Sequence, residues 1–494
     1  VYRTLPFLLI LLLAAGLRFH LLGERTRADM PLYADEALFA AFARDAALRG
    51  EWLMPGALDK TPFALYMQAG LLMLIVQPQA SGIYDLPIDQ QVWAVRVVGV
   101  FAGVLFVAAA ARAAWAVFGS ARSAWAAAGL AACSPLAVVF SPAGFTDGPM
   151  LVCAALALAC AAERRPGWAG GWLLLAFACK QQAVFFAPLV VVLGLGFGWD
   201  RRGFARFSAV GAAGLLGLAV WDAARTAAGS PSLFALAAAH NTPGRLTRPD
   251  EWDERLRRAW ALFNAVFGTP TAITLAAAAA VGWDTARRYP RRRDGWALLI
   301  LLAFMGAYTL LHLAVAFNLY DRYALLLVVP CALVGGRGLH GLTRLLVGRL
   351  PRGEGAFLPL VLALALLGSA WNAVGGRLSY PTGESSFAVR TGIAPVAAWL
   401  NALPPGTIVY DRWLGWELDF YLGAWTDKRR VFAPTPHEMA AVASSQPDPG
   451  VRVFIAPAGA ETARWERAFA AAGFTLIPAD APEPTRFRVW WASR

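Results

Sequence analysis

Apolar runs close to twenty residues long recur along this chain, and no other feature constrains its fold so strongly. A helix rising 1.5 Å per residue needs about 20 residues to cross a hydrocarbon core of about 30 Å. The runs fall at 5–22, 92–118, 123–140, 148–163, 168–179, 182–199, 206–228, 259–283, 296–316, 323–340 and 356–376. Hydrophobic residues make up 58% of the 494 and charged residues only 15%, where soluble domains carry roughly 25% charged. The expectation is an all-α polytopic membrane protein of about eleven transmembrane helices. The first run follows Arg3 and is long, with no small-residue cleavage site behind it. It therefore reads as a retained span rather than a signal peptide.

Lys and Arg outnumber Asp and Glu by 44 to 32, a formal charge of +12. The arginines cluster between apolar runs, which argues against nucleic acid as a partner and for a membrane sidedness signal. With Arg3 inside and 62–77 not spanning, Arg122, Glu163-Arg164-Arg165, Arg201-Arg202, the 287–293 cluster and the 337–352 loop all fall inside. A spanning 62–77 would put every one of them outside. The segment 62–77 thus reads as an external juxtamembrane or re-entrant helix. The loops 23–61, 141–147, Lys180, 229–258, 317–322 and everything after 376 then share the external face.

The tail changes character. From about 390 its charge density rises, and "TIVY" (407–410), "VRVFIA" (451–456), "FTLIP" (474–478) and "RFRVWW" (486–491) read as short strands between helical stretches. The expected organisation is a transmembrane domain over 1–380 and an external α/β domain over 390–494. The five cysteines lie in or at the ends of apolar segments and read as buried hydrophobes. The five histidines show no ligand spacing, so no protein-built metal site is expected.

Charge at membrane depth is costly and marks function or pairing. The external set holds Asp35, Glu36, Lys60, Asp147, Lys180, His240 and Arg322. Each has a plain alternative. Asp35 and Glu36 begin an amphipathic helix and suit its dipole. Lys60 precedes "TPFALY" as a snorkelling lysine would. Asp147 stands in "FTDGPML", which is ordinary turn chemistry. Arg322-Tyr323 suits an interfacial anchor. Lys180, in "ACKQQA", has no acid near it in sequence. Together they give external acids and cations on a membrane frame, as a phosphate-bearing lipid substrate requires.

The pattern "DE…GEWLMP…KTPFALY" resembles the first external loop of the GT-C superfamily of glycosyltransferases. It is most similar to the dolichyl-phosphate-mannose–protein mannosyltransferases and the lipid A aminoarabinose transferases. Thr61 and Phe63 replace residues of that family's Lys/His-Pro-Pro-Leu element. "GFTDGPML" resembles the second acidic loop, "LLAFACKQQAVFFAPLV" the Thr-Lys hairpin with Cys179 for threonine, and "DRYALLLVVP" the start of a late span. The resemblance covers roughly 1–340.

It implies inverting transfer of a hexose or pentose from a polyprenyl-phosphate donor to a protein, lipid or glycan acceptor, on the extracytoplasmic face of a bacterial inner membrane. By position, Asp35 is the implied base, with Glu36 or Asp147 assisting. Lys60, Lys180 and Arg322 hold the donor phosphate, and His240 joins the substrate-binding set. No cofactor is implied, although some GT-C branches use a divalent metal, for which Asp35 and Asp147 are the candidates. The rivals are a lipid or solute transporter, which broken spans at 168–199 also suit, and an inactive lipid-phosphate-binding relative.

Overall fold

The computed structural model describes residues 5–27, 30–78, 84–242, 244–267, 280, 293–317, 319–347, 392–446, 450–480 and 486–494. The expected span 356–376, the part of 259–283 beyond Phe267 except residue 280, and the arginine cluster at 287–292 lie outside them. In chain order the helices are α1 (Leu5–Arg27), α2 (Ala34–Arg49), α3 (Phe63–Ile75), α4 (Ile88–Phe118), α5 (Ala121–Cys133), α6 (Pro135–Phe140), α7 (Asp147–Ala162), α8 (Pro166–Cys179) and α9 (Phe186–Gly196). There follow α10 (Arg201–Ala227), α11 (Leu233–Asn241), α12 (Trp252–Phe267), α13 (Arg293–Ala314) and α14 (Leu325–Val347). The tail adds α15 (Ile393–Ala402), α16 (Gly415–Leu422), α17 (Pro436–Ser445) and α18 (Ala463–Ala471).

Five of these described helices are long and apolar enough to cross a membrane: Leu5–Thr26, Ile88–Phe118, Arg201–Ala227, Gly295–Ala314 and Asp321–Gly341. The other apolar helices, α3, α7, α8, α9 and α15 among them, are shorter. At 13 residues, α3 reaches about 20 Å, less than a bilayer core. The expected continuous span 123–140 is broken. Ser134 caps α6, its hydroxyl accepting from Ala137 N, and Pro135 occupies the first turn. Proline cannot donate to the preceding turn, so the helix restarts there.

Two compact units divide the chain. Val1–Gly23, Leu53–Met67 and Arg96–Thr382 form the first; Glu24–Trp52, Gln68–Val95 and Gly383–Arg494 form the second.

In the first unit α5 packs on α14, α7 on α8, and α8 on α10. Close approach depends on small residues. A Cβ on Gly336 would stand 2.6 Å from Ser123 O, and one on Gly99 would overlap the carbonyl oxygens of Ser141 and Ala143. The break at Ser134 leaves the last carbonyls of α5 without helical donors. Arg18, fully buried on α1, supplies them: Nη1 donates to Ala132 O (3.0 Å) and Nη2 to Ala131 O (3.2 Å). Its Nε donates to Ser141 Oγ (3.0 Å), which fixes the loop leading to α7.

The second unit contains a five-stranded mixed sheet, order β4-β3-β5-β7-β6. A separate two-residue pair, β1 (Gln77–Pro78) with β2 (Tyr84–Asp85), is antiparallel. In the sheet, β3 (Ile408–Asp411) runs parallel to β4 (Arg429–Phe432) and to β5 (Arg452–Pro457). The sheet is completed by β6 (Thr475–Pro478) and β7 (Phe487–Ser493), antiparallel to each other, and β7 is antiparallel to β5. Tyr410, Phe454, Trp465, Phe469 and Trp490 form its core with α17 and α18. The four expected strands are present, and β4 is additional.

Asp411 ends β3 fully buried. Its carboxylate accepts from Trp413 N, Leu414 N and Gly415 N (2.9, 2.9 and 2.7 Å), and so starts α16. On α16 lies α2. Arg44 is buried, donates to Phe420 O (2.9 Å) at the C-terminus of α16 and stacks over the Phe420 ring. Tyr421 Oη accepts from Leu32 N (3.0 Å). As expected from the sequence, helices long and apolar enough to cross a membrane are combined with a small C-terminal α/β domain.

Candidate active site

Helix geometry assembles the polar centre of the first unit. α7 and α8 are joined by a short turn and lie against each other. The N-terminus of α7 and the C-terminus of α8 therefore meet at one end. Asp147 stands in the first turn of α7 and Lys180 just beyond α8. Each charge suits the helix end that it occupies. Lys180 Nζ donates to Asp147 Oδ1 (2.5 Å), and both side chains are almost wholly buried. The backbone at Lys180 is extended, which separates α8 from the 3₁₀ turn Gln181–Phe185 before α9.

Lys60 reaches the same place from the segment before α3, paired with the neighbouring Asp59. Thr61 Oγ1 donates to Phe177 O (2.7 Å) and Gln181 Nε2 to Asp59 O (2.8 Å), tying this segment to the α8 end. Upstream, Arg225 is fully buried and donates to Leu53 O, Met54 O and Gly56 O. It clasps a turn in which Met54 adopts a left-handed φ of 48°. Such backbone is costly for a side-chain-bearing residue and needs this support.

Arg322 comes from the 3₁₀ turn Asp321–Ala324 that leads into α14. Its guanidinium lies over the rings of Phe145 (5.4 Å), Tyr320 (5.4 Å) and Tyr323 (5.8 Å). Lys180 Nζ lies 5.5 Å from the same Tyr323 ring. Lys60, Lys180 and Arg322 line one cavity of about 290 Å³, with Gln181, His312 and Tyr323 in its wall. Burial pulls the Lys180 ammonium down to about 8. Asp147 opposes that fall, and Arg322 and Lys60 add to it by like-charge repulsion. Within the cluster Lys60 and Lys180 each keep one carboxylate partner.

A second cavity of about 650 Å³ adjoins the first through shared residues. Leu256, Trp260, Phe263, Met305, Leu313 and Leu319 make it apolar, and His312 and Tyr323 line both. His312 Nδ1 meets Tyr308 O (2.9 Å), which makes that nitrogen the protonated one when the ring is neutral.

Of the expected site residues, the structure brings Lys60, Lys180 and Arg322 together and pairs Asp147 with Lys180. Lys180 has no acid near it in sequence, and the α7–α8 hairpin brings it one from 33 residues away. His240 is exposed, its Nδ1 3.7 Å from Asp59 Oδ2. Asp35 and Glu36 belong to the second unit. Asp35 is half-buried; Glu36 is fully buried, its Oε2 accepting from Tyr33 N (3.0 Å) as a cap of α2. Asp59, Gln181, His312 and Tyr323 are additions. Asp59 was visible as the acid beside Lys60 in "ALDKTPF"; the others carry no signal that distinguishes them from ordinary span-end residues.

No family model matches the chain, and no curated protein matches it. Solved structures do. ArnT from Cupriavidus metallidurans bound to undecaprenyl phosphate superposes with a TM-score of 0.60 at 16% identity, over 99% of this chain and 98% of that one. The apo state of the same protein gives 0.63 at 16%, over 99% and 97%. The archaeal oligosaccharyltransferase AglB from Archaeoglobus fulgidus, in complex with an inhibitory peptide and a dolichol-phosphate, gives 0.56 at 13%, over 100% and 74%.

Proposed function

We propose that this chain is a membrane glycosyltransferase that moves a sugar from a polyprenyl-phosphate donor to an acceptor on the extracytoplasmic face of a bacterial inner membrane. The observation that carries the reading is the three-cation cavity adjoining an apolar groove, with His312 and Tyr323 lining both. A phosphate on a long hydrocarbon chain matches both halves. The similar fold of a protein solved with undecaprenyl phosphate supports the same class of ligand.

In this reading Lys60, Lys180 and Arg322 hold the donor phosphate. The acceptor oxygen attacks the anomeric carbon as the bond from that carbon to the phosphate oxygen breaks, with inversion. Negative charge grows on the leaving lipid phosphate, and cations fixed in a water-poor cavity stabilise it more in the transition state than in the ground state. Asp35 takes the acceptor's proton. Glu36 holds the start of α2, Asp147 holds Lys180, and His240 with Asp59 lies next to Lys60 in the substrate-binding set. The acceptor is a hydroxyl of a protein, lipid or glycan.

Purified protein incubated with a panel of radiolabelled polyprenyl-phosphate sugars and membrane acceptors tests this. Label moving from the lipid to an acceptor is the expected outcome. Binding of polyprenyl phosphate with no transfer from any donor would leave a lipid-phosphate-binding protein instead.

A further inference from the structure

The second unit has a cavity of its own, of about 590 Å³, formed where the residues between β2 and α4 meet α15 and the turn after α16. Its polar lining is uneven in kind. Asn401 Nδ2 donates to Leu422 O, and Thr426 Oγ1 donates to Asn401 Oδ1. Gln91 is 1% exposed; its Nε2 donates to Leu86 O (2.5 Å), and its Oε1 has no hydrogen-bond partner. Asp85 uses Oδ1 to accept from Leu86 N (2.8 Å), and Asp427 uses Oδ1 to pair with Lys428. Asn401, Thr426 and Gln91 thus each turn a donor to a protein acceptor. Oε1 of Gln91 accepts no hydrogen bond, and Asp85 and Asp427 each carry a second carboxylate oxygen beside the one engaged.

A buried amide oxygen without a partner is costly unless a ligand or water supplies a donor. Two carboxylates exclude an anion. At the same cavity Trp425 leaves 46% of its surface exposed, a flat apolar face beside a row of acceptors. A ring with one apolar face and donors around its edge fits that lining.

We infer that this cavity binds a saccharide, amino sugars more tightly than neutral ones, with Trp425 under the ring and Asp85 and Asp427 accepting from its hydroxyl or ammonium groups. The site is separate from the donor-phosphate cavity and does not depend on it.

The test uses the full chain in detergent with glucosamine and glucose as probes, read by ligand-observed NMR in slightly acidic buffer. Both should bind with Kd on the order of millimolar, glucosamine the tighter. Trp425→Ala should weaken both about 3- to 10-fold. Asp85→Asn and Asp427→Asn should abolish the preference for glucosamine. All three variants should keep wild-type affinity for undecaprenyl phosphate, which reports that they fold. Absence of binding by either sugar, or binding that these variants leave unchanged, overturns the proposal. Sugar binding that survives while no polyprenyl-phosphate sugar is used would fail the proposed reaction and leave this site standing.

Discussion

Asp147 and Lys180, 33 residues apart, form an ion pair of 2.5 Å with 2% and 4% of each residue exposed. Such a pair is poor evidence for stability, because desolvating two charges offsets their attraction. It is informative as a poised cation. Lys180 is held charged by one acid while Arg322 and Lys60 repel it. A bound phosphate would relieve that repulsion.

The pH dependence of donor binding follows. The Lys180 amine is lowered to about 8, first by burial. Below that value it is charged and binds phosphate; above it the neutral amine does not. The second ionisation of a phosphomonoester is centred near pH 6, so its own charge is nearly constant in the alkaline range. Undecaprenyl phosphate affinity should therefore fall about 10-fold or more between about pH 7 and 9.5, the weight of one charge-assisted contact. Lys180→Arg stays charged and should flatten the profile. A flat wild-type profile would remove Lys180 from the phosphate.

Lys180→Ala and Arg322→Ala should each weaken binding about 10- to 150-fold, equivalent to about 1.5–3 kcal/mol. Asp147→Asn should behave differently. It strands Lys180 buried and unpaired, which costs about 3–5 kcal/mol, and lowers the unfolding temperature of the apo protein. Added phosphate supplies the missing charge, so thermal stabilisation by undecaprenyl phosphate should be larger in Asp147→Asn than in the wild type. Thermal shift titrations in detergent would read this, and equal stabilisation would contradict it.

How much of this was legible in the sequence depends on locality. Lys60, Lys180 and Arg322 stand at the ends of apolar runs, where a charge is conspicuous, and their common side follows from the arginine parity. The partnership of Asp147 with Lys180 needed helix ends rather than spans. Once α7 and α8 are 16 and 14 residues long with a short turn between them, their far ends must meet. The break at Ser134-Pro135 was readable as a cap followed by proline, yet the run's hydrophobicity hid it. Strand β4, "RRVF", has two arginines and little alternation, so only its pairing with β3 makes it a strand. Nothing local could join α2 to α16, because Arg44 meets Phe420 O across 376 residues.

The apolar groove can be tested by filling it. Gly306 lines it on α13, and a Cβ there would meet nothing within 4 Å. Gly306→Leu should fold, since leucine is favoured over glycine in a helix by roughly 0.8 kcal/mol. It should weaken undecaprenyl phosphate markedly and leave geranyl phosphate nearly unchanged, because only the longer tail extends along the groove. Equal loss for both would place the obstruction at the phosphate, and no loss for either would move the lipid elsewhere.

Asp35 and Glu36 are adjacent, and their surroundings separate them. Glu36 is fully buried, and its carboxylate accepts from Tyr33 N at the start of α2. Losing a cap of this kind costs about 0.5–2 kcal/mol, so Glu36→Ala should lower the unfolding temperature and impair activity only through stability. Asp35, one position earlier, is half-buried, and in the proposed reaction it is the base. Asp35 lies in the first turn of α2, behind the cap residue Tyr33, so Asp35→Asn forfeits only a helix-dipole contribution of about 0.3–1 kcal/mol and should keep fold, membrane insertion and donor affinity. A general base contributes about 10²–10⁴-fold, and turnover should fall by that factor. Side-by-side measurement of donor affinity, unfolding temperature and transfer rate on the two variants distinguishes base from cap. An Asp35→Asn enzyme that still transfers sugar at the wild-type rate would put the base elsewhere.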